Sequence, residues 1–210
     1  MYKNFFKRLF DFLGALFLIV ALAPVYVILY ILIRINMGSP VFFRQDRPGK
    51  NGKIFRLMKF RSMNSAADEN GKLLPDAKRL TKLGNFLRKS SLDEIPQFFN
   101  VLRGDMSFIG PRPLLVQYIP YYTARESRRH EVRPGITGLA QVSGRNNITW
   151  AKKLECDAEY VENLSLLLDV KIALLTVMKV LRRADVAVGA EEAFDVVRRR
   201  ELEEAKETKN

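Results

Sequence analysis

The longest feature of the hydrophobic pattern is the run Phe12 to Ile33, 22 residues without a formal charge. At about 1.5 Å per residue, a straight helix of that length could cross a hydrocarbon core of roughly 30 Å. Pro24 sits near its middle, where a proline removes a backbone bond and clashes with the preceding turn. The run is therefore expected to kink or break at Pro24. Lys3, Lys7 and Arg8 precede it and Arg34, Arg44 and Arg47 follow, so the positive charges give it no preferred direction. A helix-break-helix hairpin over residues 1–36, dipping into one leaflet with both ends cytoplasmic, satisfies both observations. Two readings compete: a single span, because spanning helices tolerate proline, and a cleaved signal peptide. Ala21-Leu22-Ala23 mimics a cleavage box, but the apolar run continues past it.

Shorter patterns follow. Ile54, Phe55, Leu57, Met58 and Phe60 interleave with Lys53, Arg56, Lys59 and Arg61, which predicts a short strand or extended segment with a basic edge. Gly49 and Gly52 mark the turn before it. These cations also suit a plain solvated face. Residues 64–76 read as a loop. Leu80, Leu83, Phe86 and Leu87 recur at helical spacing among basic residues, so 77–89 predicts a short basic amphipathic helix weakened by Gly84. Such a helix lies in a membrane interface or faces a core. Ile95, Phe98, Phe99 and Leu102 predict a helix over 93–103, stopped by Gly104. The aromatic stretch 114–127, with Tyr118, Tyr121 and Tyr122, suits a membrane interface or ordinary core packing.

In 131–147, Gly135, Gly138 and Gly144 allow the backbone close to a ligand, or simply make a turn-rich loop. Residues 149–182 predict two helices parted near Asn163, and Asp169 and Lys171 argue against a second membrane span. From about Ala190 the charged tail is an exposed helix or disordered. The expected fold is α+β and mostly helical: a re-entrant membrane helix-break-helix (1–36), a small cytoplasmic domain with amphipathic interfacial helices (37–185), and a charged tail (186–210).

Composition narrows the chemistry. The 210 residues carry a formal charge of +12, which calls for an anionic partner: nucleic acid, a phospholipid surface or a phosphorylated substrate. A single cysteine, Cys156, excludes an internal disulfide and a thiolate zinc cluster. The single histidine, His130, has no nucleophile elbow near it and reads as a surface residue. No nucleic-acid recognition signature is present, and no nucleic-acid partner is expected.

Within this basic chain, Asp93 and Glu94 form an acidic pair in Ser91-Leu92-Asp93-Glu94-Ile95-Pro96-Gln97, just after Arg88 and Lys89. A proline fits the first turn of a helix, so Pro96 predicts a helix start near Leu92 to Glu94. Free N–H groups and the helix dipole favour anions there. Asp93 reads as a nucleophile aimed at a phosphate that the basic residues hold. The bland reading makes Asp93 an N-cap, or Ser91 and Glu94 a capping box, although that box puts Pro96 where a helical N–H is normally used.

Several separated stretches together carry a resemblance: Phe43-Arg44-Gln45 with Arg47-Pro48-Gly49; Lys59-Phe60-Arg61-Ser62-Met63; Leu92 to Gln97; Asn100 to Ser107; Ile109 to Pro113; and Arg133 to Val142. In this order they resemble the monotopic phosphoglycosyl transferases, also called bacterial sugar transferases, from the N-terminal hairpin to about Leu181. In that family the first helix returns to the cytoplasmic face at a break that is often Ser-Pro. Here the pair is Ala23-Pro24, without the serine hydroxyl.

The resemblance implies an enzyme acting in two steps. Asp93 attacks the sugar-bearing phosphate of a UDP-sugar, UMP leaves, and undecaprenyl phosphate then takes the phosphosugar from Asp93. Glu94 would assist the acceptor or the metal, and Mg²⁺ with Asp93 would neutralise the pyrophosphate. Arg88, Arg112 and Arg145 are the expected phosphate or nucleotide contacts, with Lys59 and Gln141 as further substrate-binding residues. The short chain looks most like members that start protein N-glycosylation by moving N,N'-diacetylbacillosamine 1-phosphate. The alternatives are an initiating transferase for capsule or O-antigen using another UDP-sugar, and a non-enzymatic, basic, membrane-anchored scaffold. Membrane phospholipid is an expected partner, a homodimer is left open, and the expected location is the cytoplasmic face of the bacterial inner membrane.

Overall fold

The computed structural model describes residues 1–144, 148–181 and 192–207. The chain divides into two compact units, Met1–Gln45 with Arg56–Phe108, and Asp46–Phe55 with Ile109–Asn210.

The first unit opens with a π-helical turn, Tyr2–Phe6, then helix α1 (Lys7–Ala21) and helix α2 (Ala23–Met37). No single helix among the described residues is long and apolar enough to cross a membrane. The α1–α2 pair, bent by 62°, passes that test jointly, by length and composition. The chain leaves helical geometry at Leu22 (φ −95°, ψ 7°), and Pro24 sits in the first turn of α2, where a missing N–H is tolerated. The break therefore falls two residues before the proline.

Phe17, Val20, Val27, Ile28, Ile31 and Ile35 on the pair are exposed. Leu29 and Ile33 instead pack into a core with Val41, Phe60, Leu87 and Ile95. Strand β1 (Phe42–Pro48) and strand β2 (Ile54–Phe60) pair as a hairpin through a 3-10 turn at Lys50–Gly52, in line with the glycine-marked turn.

The single helix expected over 77–89 is two: α3 (Asp76–Arg79) and α4 (Lys82–Lys89). Leu80 is extended between them, and the Thr81 hydroxyl caps α4 by accepting from the Gly84 N–H. The helix expected over 93–103 is also divided, into a 3-10 turn, Leu92–Glu94, and α5 (Gln97–Arg103). The Ser91 and Ile95 carbonyls each accept from the residue three ahead, Glu94 and Phe98, so the segment is wound more tightly than an α-helix. Pro96 is the N-cap of α5, and Gly104 ends it in the left-handed conformation (φ 91°).

Strand β3 (Ser107–Ile109), whose last residue begins the second unit, pairs with β4 (Gly135–Thr137). The pairing continues through Gly110 N–H to the Thr137 carbonyl and Gly135 N–H to the Pro111 carbonyl, both 2.9 Å. A Cβ on Gly135 or Gly138 would lie 2.2 or 2.1 Å from the Gly110 backbone. These two glycines thus admit another backbone, not a ligand. A 3-10 stretch (Val116–Tyr121) and α6 (Ala124–Ser127) follow; a Thr123–Glu126 capping box opens α6.

After a 3-10 turn at Arg128–Glu131 come α7 (Leu139–Ser143), α8 (Trp150–Glu162), α9 (Leu166–Leu181) and α10 (Phe194–Glu207). α8 and α9 part at Asn163, as the pattern predicted. Tyr118 is buried with Leu154 and Phe194, and Tyr121, Tyr122 and Trp150 pack around them, so core packing accounts for this aromatic stretch. The charged tail contains a helix, anchored by buried Phe194; residues 182–191 lie outside the described residues.

Candidate active site

Asp93, Glu94, Lys59 and Arg88 stand in the first unit. Asp93 lies on the 3-10 turn between α4 and α5 and is only 8% exposed. Ser91 enters that turn at φ 56°, a left-handed conformation that costs a non-glycine residue about 1 kcal/mol. Its side chain makes no cap bond, so the capping-box alternative fails. Glu94 is held by Lys59, whose Nζ is 2.6 Å from Glu94 Oε1. The Arg88 Nε donates to Ser62 Oγ at 2.9 Å, which orients the guanidinium from behind.

A residue given no role from sequence organises this arrangement. Asn100, 1% exposed, accepts from the Met58 N–H at 3.0 Å and donates to the Arg56 carbonyl at 2.8 Å. One amide thus binds β2 on both sides of Leu57, and β2 carries Lys59 to Glu94. The partners are 42 and 44 residues apart in sequence, so no local pattern points to them.

Arg112 and Gln141 stand in the second unit, and Arg145 lies outside the described residues. Arg112 is exposed between Pro111 and Pro113, and its carbonyl accepts from Arg129 Nη2 at 2.5 Å. Arg129 is buried and also contacts Asp157 Oδ2 at 2.8 Å and the Tyr122 hydroxyl at 3.0 Å. Burial pushes the Asp157 carboxyl up to about 6, against the opposing pull of Arg129. Burial, and then the charge of Arg112, hold Arg47 below the usual guanidinium range. Gln141 Nε2 donates to the Ile136 carbonyl at 3.3 Å, which ties this side chain to β4.

His130 is not the surface residue expected. Its ring is partly buried, its Nε2 meets no acceptor, and burial followed by Arg129 pushes its pKa down to about 4, against a hydrogen bond with the Gly49 backbone. It lines a cavity of about 10 Å³ with Pro48, Arg112 and Arg129, room for one water and far too small for a nucleotide.

Among the described residues, no three His, Cys, Asp or Glu side chains converge as a metal cage. Mg²⁺ commonly takes one or two protein carboxylates and completes its shell with water and substrate phosphates. Asp93 offers a carboxylate of that chemistry, whereas Glu94 is already bound to Lys59.

Residues 2–183 match the family described as Bacterial sugar transferase. A Bacillus subtilis (strain 168) protein named "Uncharacterized sugar transferase EpsL" is 55% identical over 175 residues, 83% of this chain and 87% of that protein. "Galactosyl transferase CpsE" of Streptococcus agalactiae serotype III (strain NEM316) is 43% identical over 189 residues, 83% of this chain and 42% of that protein. "UDP-glucose:undecaprenyl-phosphate glucose-1-phosphate transferase" of Escherichia coli (strain K12) is 41% identical over 185 residues, 82% of this chain and 39% of that protein. The chain therefore covers most of the first relative and about two fifths of the other two. It is an enzyme of the phosphoglycosyl transferase class. It belongs to the bacterial sugar transferase family. These relatives back the expected alternative, an initiating transferase using another UDP-sugar, better than the N,N'-diacetylbacillosamine and protein-glycosylation reading.

Proposed function

We propose that this chain transfers a hexose 1-phosphate from UDP-glucose or UDP-galactose to undecaprenyl phosphate, starting an exopolysaccharide or capsule repeat. The observation that carries the mechanism is buried Asp93, on a tight turn beside a Lys59–Glu94 ion pair, in the unit that also holds the bent apolar helices. An Asp93 carboxylate oxygen attacks the sugar-bearing phosphorus. The bond from that phosphorus to the bridging oxygen breaks, and UMP leaves with the electron pair. An acceptor phosphate oxygen then attacks the same phosphorus and releases the Asp93 carboxylate, leaving undecaprenyl diphosphosugar.

Glu94, oriented by Lys59, assists the acceptor. Arg88 serves the donor phosphates, and guanidinium forks suit phosphate oxygens; the same role for Arg112 and Arg145 rests on the family resemblance alone. Mg²⁺ held by Asp93 and donor oxygens would supply charge neutralisation. The exposed apolar side chains of α1 and α2 support a re-entrant anchor over residues 1–36, with catalysis on the cytoplasmic face of the inner membrane.

The test is UMP release from UDP-glucose, UDP-galactose and UDP-N,N'-diacetylbacillosamine with undecaprenyl phosphate. Intact mass of the protein after exposure to donor alone provides the second readout. Release from a UDP-hexose, a phosphohexose adduct, and loss of both in Asp93→Asn support the reading. Full activity of Asp93→Asn removes the nucleophile. Turnover confined to the bacillosamine donor restores the other substrate. Tags at both termini should be labelled from the cytoplasm; a protected N-terminal tag alone defeats the re-entrant anchor.

A further inference from the structure

We infer that Tyr26, on apolar helix α2, is a positioning residue for the nucleophile-bearing turn; this rests on the assignment of Asp93 above. The Tyr26 hydroxyl donates to the carbonyl of Ile95, two residues after Asp93, at 2.5 Å. That carbonyl also accepts from the Phe98 N–H at 3.0 Å. Pro96 follows and has no N–H, so the junction between the turn and α5 has one backbone donor fewer with which to fix itself. Holding the Ile95 carbonyl restrains the Asp93 side of the junction as well as the α5 side.

The ring has support of its own. It packs against Phe60 and Phe99, with centroids 5.9 and 5.6 Å away, so the hydroxyl is delivered from a packed side chain. The far end of α5 is tied to the same helical hairpin. Arg8 of α1 donates to the Val101 and Leu102 carbonyls at 2.6 and 2.7 Å, where a helix C-terminus favours a cation. Asp11 of α1 accepts from the Ser107 hydroxyl and the Phe108 N–H, both at 3.0 Å, just past α5. The segment bearing the nucleophile is thus bracketed by polar contacts from α1 and α2. Tyr26 makes the contact nearest the reacting carboxylate in sequence. The helical hairpin therefore sets the geometry of the turn in addition to any anchoring it provides.

The experiment uses the full chain in nanodiscs and compares wild type, Tyr26→Phe, Phe99→Leu and Asp93→Asn. Single-turnover UMP release at saturating UDP-hexose is measured with KM for the donor and the thermal unfolding midpoint. Tyr26→Phe should slow release about five- to tenfold, with KM within about twofold and the midpoint unchanged. Phe99→Leu weakens the ring packing but keeps the hydroxyl. It should lower the midpoint and leave the release rate near wild type. A wild-type rate in Tyr26→Phe overturns the inference while the Asp93 assignment stands. So does a loss in Phe99→Leu equal to that in Tyr26→Phe, because packing alone would then explain both. Continued release by Asp93→Asn removes the assignment itself, and the inference with it.

Discussion

Lys59 Nζ lies 2.6 Å from Glu94 Oε1, with each side chain about one-fifth exposed, so the residue beside the proposed nucleophile is fixed by a strand 35 positions earlier in the chain. Removing one partner leaves the other charge mostly desolvated beside a buried carboxylate. Lys59→Met should lower UMP release by roughly tenfold and Glu94→Gln by a similar factor. The double variant should lose less than the product of the two, because the partners share one interaction. Steady-state rates of the four proteins check this; strictly multiplicative losses would show that the pair does not act as a unit.

Asn100 makes a sharper structural prediction. Asn100→Ala leaves the Met58 N–H and the Arg56 carbonyl without their side-chain partner, next to a space the amide had filled. The expected cost is about 2–4 kcal/mol of stability. Because β2 carries Lys59, activity should fall beyond what the loss of folded protein explains. Hydrogen exchange at the Met58 amide should speed up selectively, and denaturant unfolding gives the stability change.

Much of the fold was legible where one residue's chemistry dominates locally. A proline inside an apolar run foretold a break, Gly104 ended α5, and the two helices expected over 149–182 part at Asn163. The position of the break was off because proline is comfortable in a first helical turn, so the kink precedes it. The acidic pair, too, was visible as the exception in a basic chain. What holds it was not: Asn100 and Tyr26 act through side-chain to backbone bonds that leave no periodic trace. His130 was misread for the same reason, since nothing adjacent announces the Arg129–Asp157 pair buried beside it.

Gly84 belongs with those failures and yields a prediction of its own. Its spacing suggested a weak point in a helix, but a Cβ there would stand 1.7 Å from the Ser62 carbonyl oxygen. The glycine is what lets α4 approach the chain after β2. Gly84→Ala must push Ser62 away, and Ser62 is the residue that orients Arg88. Stability should drop by about 3 kcal/mol or more, and donor binding should weaken with it. Thermal unfolding and donor KM test the two halves separately; an unchanged midpoint would show that α4 and Ser62 separate easily.

The last prediction concerns pH, and two groups in the second unit pull in opposite directions. His130 is held at about 4 by burial and Arg129, below its ordinary value of 6.5. Between those values the unfolded chain binds the extra proton, so this group's contribution to stability is lost as pH falls through the window. Asp157 is pushed up from 3.8 to about 6, mainly by burial. Its native form takes the proton first, so its contribution is present at low pH and is lost as pH rises through about 6. Over roughly pH 4 to 6 the two offset each other, and wild type should show little slope from this region. His130→Asn removes one side of the balance. Relative to wild type, the variant should become more stable as pH drops from 7 to 5. The gain should be about 1–2 kcal/mol, less than the bare shift implies because the ring is partly exposed and screened. Denaturant unfolding of both proteins at pH 7 and pH 5 measures it; parallel curves would show that His130 titrates alike in the folded and unfolded chains.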